Sequence, residues 1–542
     1  QERLLSDLRK RVVRQAQDNR GGHGRLDERI ADSVYHEERR LSQEGSSRKS
    51  ARDAAFFGEV RRNLRGSGDK TQVELLERLI DHYGGEIAGH FDERVYRLVT
   101  RAALPALGAL LRASSPKRLL TELPSLSSLE EVIKIQGHYA QLRRLHELGT
   151  VVLVPTHVSN LDSLVVGYAL WRLGLPPFLY GAGLNLFSNP MMGFFLHNLG
   201  AYTVDRRKED PLYREVLKEY CTLTLEYGYD NIFFPGGTRS RSGAIERKLK
   251  LGLLGCGLRA FIHNLQHGKS NPRVYIVPAT ISMQLVLEAE TLIDDFLKEQ
   301  GKSRYIISDD EFSQPTRILD FVRQLLSMDS RIHLTIGQAF DPFGNTVDEE
   351  GESLDPHGRI IDPAYYTFRK GSPEAVSQRD AEYTRELAEK VTECFASHSL
   401  IQSTHVTARA LFDILRLRHQ GTELIRVLRM HNGGEEFSLR EVYDRGEVLL
   451  SELRALAQRG AIRLSPLLQT GATEDVIADG LAHFSTYHKR AAARRRGDHL
   501  LAADKPLLFY YQNRLEGYRL ERSVGLPPAL GDDHRSLRGC HE

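Results

Sequence analysis

Hydrophobic positions follow three regimes along the chain. Over residues 1–115 they recur at helical spacing among dense Arg and Glu, interrupted strongly only at Gly21-Gly22 and Gly66-Ser-Gly68. That pattern predicts a helical N-terminal domain whose apolar stripes pack together and whose charged faces meet water. The stretch from Gly85 to Leu111 continues it, with Phe91, Val95, Leu98, Val99, Leu104 and Leu107 set among charges. Pro105 is expected to kink or end that helix. Ser114-Ser-Pro116 and Pro124-Ser-Leu-Ser-Ser128 read as linkers into the next domain.

The second regime runs from Leu129 to about Phe343. A helix over Leu129–Leu148 is expected first. Val151-Val-Leu-Val-Pro155 follows as a buried parallel strand, being short, β-branched and stopped by a proline. The next helix is expected over Leu161–Leu173. Strands then read at Phe178–Gly181, Ala201–Val204, Asn231–Phe234, Val274–Ile281 and Arg331–Ile336. Helices read at Pro190–Leu199, Pro211–Tyr227 and Leu251–Gln266. Alternation of this kind implies an α/β domain over residues 116–345, with a mostly parallel sheet flanked by helices.

In the third regime, residues 346–542, a polar segment rich in Asp, Glu and Gly reads as an extended loop. A mostly helical C-terminal region follows it, including Ala408–Arg418, Thr422–Met430 and Leu439–Ile462. The basic run Lys489-Arg490 to Arg494-Arg-Arg496 reads as a solvated helix face, with anionic lipid headgroups as its functional alternative.

Composition narrows the class. The chain has 542 residues, of which 41% are hydrophobic and 27% charged, ordinary values for a globular protein of two or three domains. A formal net charge of +2 argues against a nucleic-acid protein held by bulk charge. The helix, Gly cap and strand around Gly460 imitate the end of a winged-helix unit without the charge that DNA binding needs. The four cysteines are scattered without metal-ligand spacing, which suits a reducing compartment and points to neither disulfides nor zinc. The opening Gln1-Glu-Arg-Leu is charged and lacks the apolar core of a secretory leader. No run approaches the roughly 18 apolar residues of a membrane span. Membrane contact, if any, is therefore expected to be peripheral or monotopic.

Four blocks carry candidate chemistry. In the first, Thr156-His157-Val-Ser-Asn-Leu-Asp162 follows a strand at the sheet edge where open α/β folds bind ligands. A five-residue step around that turn sets a carboxylate against one imidazole nitrogen and leaves the other free to take a hydroxyl proton. The second, Gly200-Ala-Tyr-Thr-Val-Asp-Arg206, ends a strand in an arginine that suits phosphate, or a surface salt bridge with Asp205 or Glu209. The third, Phe233-Phe-Pro-Gly236-Gly237-Thr238-Arg239-Ser240-Arg241-Ser-Gly243, offers charge and hydroxyl donors from a glycine-rich loop, a composition that suits phosphate. Arg247, Lys248 and Lys250 extend its positive potential. The fourth, Tyr275-Ile-Val-Pro278, puts a proline in a strand, which suggests a bulge or a sheet edge lining a cleft. Between the first two blocks, Asn185 to Leu196 is the most apolar helix candidate, either core or a lipid-facing wall.

His157-x4-Asp162, Gly200-x5-Arg206, Phe234-Pro-Gly-Gly-Thr-Arg-Ser-Arg241 and Val277-Pro278 together resemble, in order and spacing, the four blocks of the glycerolipid acyltransferases. The helical region before them, and Leu507-Leu-Phe-Tyr-Tyr-Gln-Asn-Arg514 near the end, resemble the long glycerol-3-phosphate acyltransferase branch. The resemblance implies His157 as general base and Asp162 as its orienter. It implies Arg206, Arg239, Ser240 and Arg241 on the acceptor phosphate, with Gly237, Thr238 and Pro278 lining the site. The implied reaction moves a fatty acyl group from acyl-CoA or acyl-carrier protein to the 1-hydroxyl of glycerol 3-phosphate, with no cofactor or metal, at the cytoplasmic face of a membrane. Lysophosphatidate or dihydroxyacetone phosphate as acceptor, and a non-catalytic lipid-binding relative, are the alternatives. One position departs from the family pattern. Its third block carries a glutamate where this sequence has Gly236. The Gly-Gly turn is expected to place Gly236 at positive φ, with the loop reshaped around it.

Overall fold

The computed structural model describes residues 1–18, 25–44, 47–103, 130, 132–184, 187, 190–300, 331–430, 434–485 and 488–520. Its centre is a seven-stranded sheet. The strands are β1 (Ile133–Gly137), β2 (Thr150–Pro155), β3 (Leu179–Gly183), β4 (Ala201–Val204), β5 (Asn231–Ile232), β6 (Val274–Ser282) and β7 (Ile332–Ile336). Their order is β1-β7-β6-β2-β5-β3-β4, and every neighbouring pair is parallel except β6 with β7. Strands β2, β4, β5 and β6 therefore run the same way, and the loops that follow them open on one edge of the sheet.

β2 shows why its sequence lacks polar alternation. Val151 and Leu153 face one hydrophobic core, Val152 and Val154 the other, and all four are buried. A strand covered on both faces needs apolar residues at every position. Each such side chain contributes about 1.5–3 kcal/mol on burial.

One face is covered by α6 (Tyr139–Leu148), α7 (Asp162–Arg172), α11 (Ala289–Gln300) and C-terminal helices through Leu142, Val165, Leu292, Leu411 and Leu449. The other carries α9 (Pro211–Glu226) and α10 (Leu251–Gln266). Over these lie α1 (Glu2–Asp18), α2 (Leu26–Gln43), α3 (Arg48–Leu64) and α4 (Asp69–Ile87), whose apolar stripes join the same core through Leu8, Ile30, Phe57 and Leu79. Asp210 ties the layers together. It caps α9 by accepting from Leu212 N at 2.9 Å, and also accepts from Ser33 Oγ on α2 and Tyr83 Oη on α4.

Several local expectations change. Leu129–Leu148 is not one helix: Ile133-Lys-Ile-Gln alternates every second residue, pairs with β7 as β1, and only then does α6 begin. The helix expected over Gly85–Leu111 is broken. α4 ends at Ile87, and the chain crosses to the turn just before β4, where His90 N donates to His197 O and Gly200 N to His90 O. A short helix, α5 (Glu93–Leu98), follows, whereas Pro105 and both linkers lie outside the described residues. Lys489–Arg496 is no helix face. Ala493–Arg496 is a strand of a hairpin with His499–Ala502, and its arginines are exposed. The polar segment after Phe343 holds short antiparallel pairs, Thr346–Val347 with Ser353–Leu354 and the latter with Ile360–Ile361.

Pro278 stands inside the sheet, not at an edge. It pairs with Val154 of β2 on one side. On the other, Ile276 bridges Phe340 while Ala279 pairs with Ile336, so Val277 and Pro278 oppose three residues, Gly337 to Ala339. This bulge accommodates a residue with no N–H to donate.

Candidate active site

The first block sits at the carboxyl end of β2. Thr156 stitches it to β6: its N–H donates to Ala279 O at 3.0 Å, and its Oγ1 accepts from Ile281 N at 2.9 Å. Asp162 is the first residue of α7, where the helix N-terminus favours negative charge. Its fully buried carboxylate gathers the turn through one oxygen, Oδ2. That atom accepts from Val158 N at 2.7 Å and Ser159 N at 2.9 Å, and lies 2.9 Å from His157 Nδ1. A carboxylate can only accept here, so the geometry assigns the imidazole proton to Nδ1 and leaves the Nε2 lone pair available. Phe234 stacks on the imidazole at 4.1 Å between ring centres, restricting its rotation. The His157 side chain retains 14% exposure, enough to reach a substrate from a mostly dry setting.

Two carboxylates from elsewhere in the chain hold this loop, the buried Glu288 and the half-buried Glu246. Glu288, after β6, accepts from Ser159 Oγ at 2.7 Å and Asn160 N at 2.9 Å, and pairs with Arg239 at 3.3 Å. Glu246 accepts from the backbone N–H of His157 at 2.8 Å. Burial pushes its carboxyl up to about 7, against the His157 hydrogen bond and the charge of Arg514. Neither glutamate has a sequence signal, because each lies far along the chain from the turn it supports.

The third block folds back over the first. Gly237, not Gly236, takes the left-handed conformation (φ +75°), and its N–H closes a turn onto Phe234 O. Ser240 N donates to His157 O at 2.8 Å, and Ser240 Oγ donates to Ala244 O at 2.6 Å, so both groups brace the loop. Thr238 is exposed. Arg241 reaches Glu299 at 2.7 Å. At Gly243 a Cβ would come within 2.1 Å of Tyr510 O, which shows how closely the C-terminal segment passes. Asn513 Nδ2 donates to Ser242 O at 2.8 Å, and the buried Arg514 donates to Ile281 O at 3.0 Å. The Tyr510–Arg514 stretch is thereby the floor under the third block. Pro278 is buried in the sheet below the turn that carries His157.

The second block separates its three cations. Arg207 pairs with Asp205 at 3.1 Å and Glu44 at 2.9 Å, and Lys208 is buried between Glu37 at 3.1 Å and Glu86 at 2.6 Å. Arg206 is solvent-accessible and has no ion pair among the described residues. Desolvation of its guanidinium, then the charges of Arg239 and Arg241, lower its pKa. The blocks thus bring three guanidinium groups within electrostatic reach of one another on the edge that carries His157, an arrangement suited to a polyanionic ligand. Among the described residues one group has metal-like spacing, Asp53, His82 and Glu86 in the N-terminal helices. Lys49 and Lys208 already pair with Glu86.

Residues 136–282 match the family model described as Acyltransferase, and this span includes all four blocks. The chain is similar to the glycerol-3-phosphate acyltransferase of Pseudomonas fluorescens strain Pf0-1, 28% identical over 296 residues, which is 54% of this chain and 32% of that protein. The enzyme of the same name from Pseudomonas syringae pv. tomato is 32% identical over 188 residues, 32% of this chain and 22% of the relative. That from Ectopseudomonas mendocina is 29% identical over 275 residues, 47% and 30% of the two chains. The matched region spans at most about a third of the length of these relatives.

Proposed function

We propose that this protein transfers a fatty acyl group from a thioester, acyl-CoA or acyl-carrier protein, to the 1-hydroxyl of glycerol 3-phosphate. The observation that carries the reading is the His157–Asp162 contact at 2.9 Å, with Nε2 unspent, on the sheet edge shared with Arg206, Arg239 and Arg241. Nε2 removes the hydroxyl proton as the oxygen attacks the thioester carbonyl. The new C–O bond forms, the C–S bond breaks, and the imidazolium returns its proton to the departing thiolate. Asp162 holds the tautomer and stabilises the imidazolium. The arginines hold the phosphate, Ser240 and Gly237 shape their loop, and Thr238 and Pro278 complete the surroundings. The names of the relatives support glycerol 3-phosphate as acceptor.

The same reading places the protein at a membrane surface, on the cytoplasmic face. No helix among the described residues is long and apolar enough to cross a membrane. Helix α8 (Pro190–Asn198) buries Leu196 but leaves Phe194 52% exposed, near a segment where Phe91 is 42% exposed and bridged to Leu199. Such an exposed aromatic ridge suits a lipid interface.

Thiol release measured with glycerol 3-phosphate, dihydroxyacetone phosphate, lysophosphatidate and glycerol tests the reading. Glycerol 3-phosphate should be the fastest acceptor and glycerol the slowest. Preference for another phosphate would move the substrate assignment, and transfer to none would remove the activity.

A further inference from the structure

Gly236 is the departure in the third block, and the structure shows what occupies its space. Its φ is not positive, so backbone freedom does not explain the glycine. A Cβ built there would lie 3.0 Å from Glu246 Cγ and 3.3 Å from Glu246 Oε1. The glycine makes room for a side chain arriving from ten residues downstream. That side chain ends at the catalytic turn: Oε1 accepts from His157 N at 2.8 Å, while Oε2 is buried with no hydrogen-bond partner among the described residues.

We propose that Glu246 is a positioning residue for His157, its carboxylate threaded through the space over Gly236 to hold the backbone N–H of the base. A carboxylate at this spot is thereby supplied from position 246 in place of 236. The proposal deepens the acyl-transfer reading and rests on it. The charged groups that act on the Glu246 carboxylate are Arg514, from the C-terminal segment, and Asp162, from the start of α7. Arg514 favours the charged form and Asp162 opposes it. Position 246 thus links the catalytic turn to the Tyr510–Arg514 floor, which explains how a distant C-terminal segment bears on the base.

The test is a swap. Glu246→Ala should lower kcat at least about ten-fold and leave the thioester KM unchanged, because the base is displaced and donor binding is not. Glu246→Gln keeps an oxygen to accept the His157 N–H and should retain most of kcat. Gly236→Glu alone should crowd Glu246 and lower the melting temperature. The double variant Gly236→Glu with Glu246→Ala should recover about ten-fold over Glu246→Ala, whereas Gly236→Ala with Glu246→Ala should not. A readout independent of activity is the amide proton of His157, observed in 15N-histidine-labelled full-length protein. It should shift upfield in Glu246→Ala, where its acceptor is gone, and return in the double variant. Should Glu246→Ala fail to fold, Glu246→Gln and the double variant still decide. An unchanged amide shift in Glu246→Ala, a Gln variant as impaired as Ala, or a double variant no better than Glu246→Ala would overturn the proposal. A wild-type protein that transfers no acyl group would instead overturn the functional reading, and the amide shift would still report on Glu246.

Discussion

Replacing Arg206 by Ala isolates the second-block cation that has no ion pair among the described residues. Arg239 has a buried partner in Glu288 at 3.3 Å and Arg241 a surface partner in Glu299 at 2.7 Å. Arg206 instead faces the like charges of Arg239 and Arg241, which together with desolvation lower its pKa. Its charge is available to a ligand. A charge-assisted hydrogen bond to a phosphate oxygen is worth about 1.5–3 kcal/mol, or roughly ten- to a hundred-fold in affinity. The acceptor KM should rise by that factor in Arg206→Ala, while kcat and the thioester KM hold. The melting temperature should stay level or rise, because one of three mutually repelling charges is gone. Arg241→Ala is the internal control. It should raise the acceptor KM less, since Arg241 shares its charge with Glu299. Initial rates with each substrate varied at saturating levels of the other, alongside thermal melts, give all the quantities needed. An unchanged acceptor KM in Arg206→Ala, or an equal rise in both KM values, would refute the phosphate role.

Three further outcomes follow from particular contacts. Asp162→Asn should cost about 10²–10⁴-fold in kcat, because the amide cannot hold the Nδ1–H tautomer against three donors; steady-state rates on folded protein check this. Burial raises the Glu246 carboxyl from its usual 4.5 to about 7, so the wild type loses stability as pH rises through that interval, by roughly 3 kcal/mol in all. Glu246→Gln should therefore melt higher than wild type at pH 8 and show no such advantage at pH 4.5. Glu226 behaves oppositely: burial opposes its charge, but hydrogen bonds from Arg11 and His263 outweigh burial and bring its pKa down to about 2. That stability is present above pH 4.5 and lost as pH falls toward 2, so Arg11→Met should destabilise the protein at pH 7 far more than at pH 2, as denaturant titrations at both pH values would show.

Much of the fold is legible in the sequence because buried parallel strands announce themselves. Val151–Pro155 is apolar throughout and Val274–Ile281 is apolar but for the Tyr275 and Thr280 hydroxyls, and Leu251–Gln266 has the same bounds in sequence and structure. β1 was obscured because Ile133-Lys-Ile-Gln runs into the helix beginning at Tyr139, and its strand state depends on β7 some 200 residues away. In the site, the His157 and Asp162 spacing is local and readable. The partners that hold it are not, since Glu246 and Glu288 reach the turn only through the tertiary fold. Likewise, the Gly236-Gly237 pair signals a turn. Only the packing shows that Gly237 supplies the positive φ, while Gly236 supplies space.

The most direct measurement compares acyl transfer to glycerol 3-phosphate by the wild-type chain and by His157→Ala, with matched thermal melts. The wild type should release thiol and form an acyl ester dependent on glycerol 3-phosphate. His157→Ala, with an unchanged melting temperature, should lose about 10²–10⁴-fold of that rate. Undiminished transfer by a folded His157→Ala protein would contradict the assignment of His157 as the base.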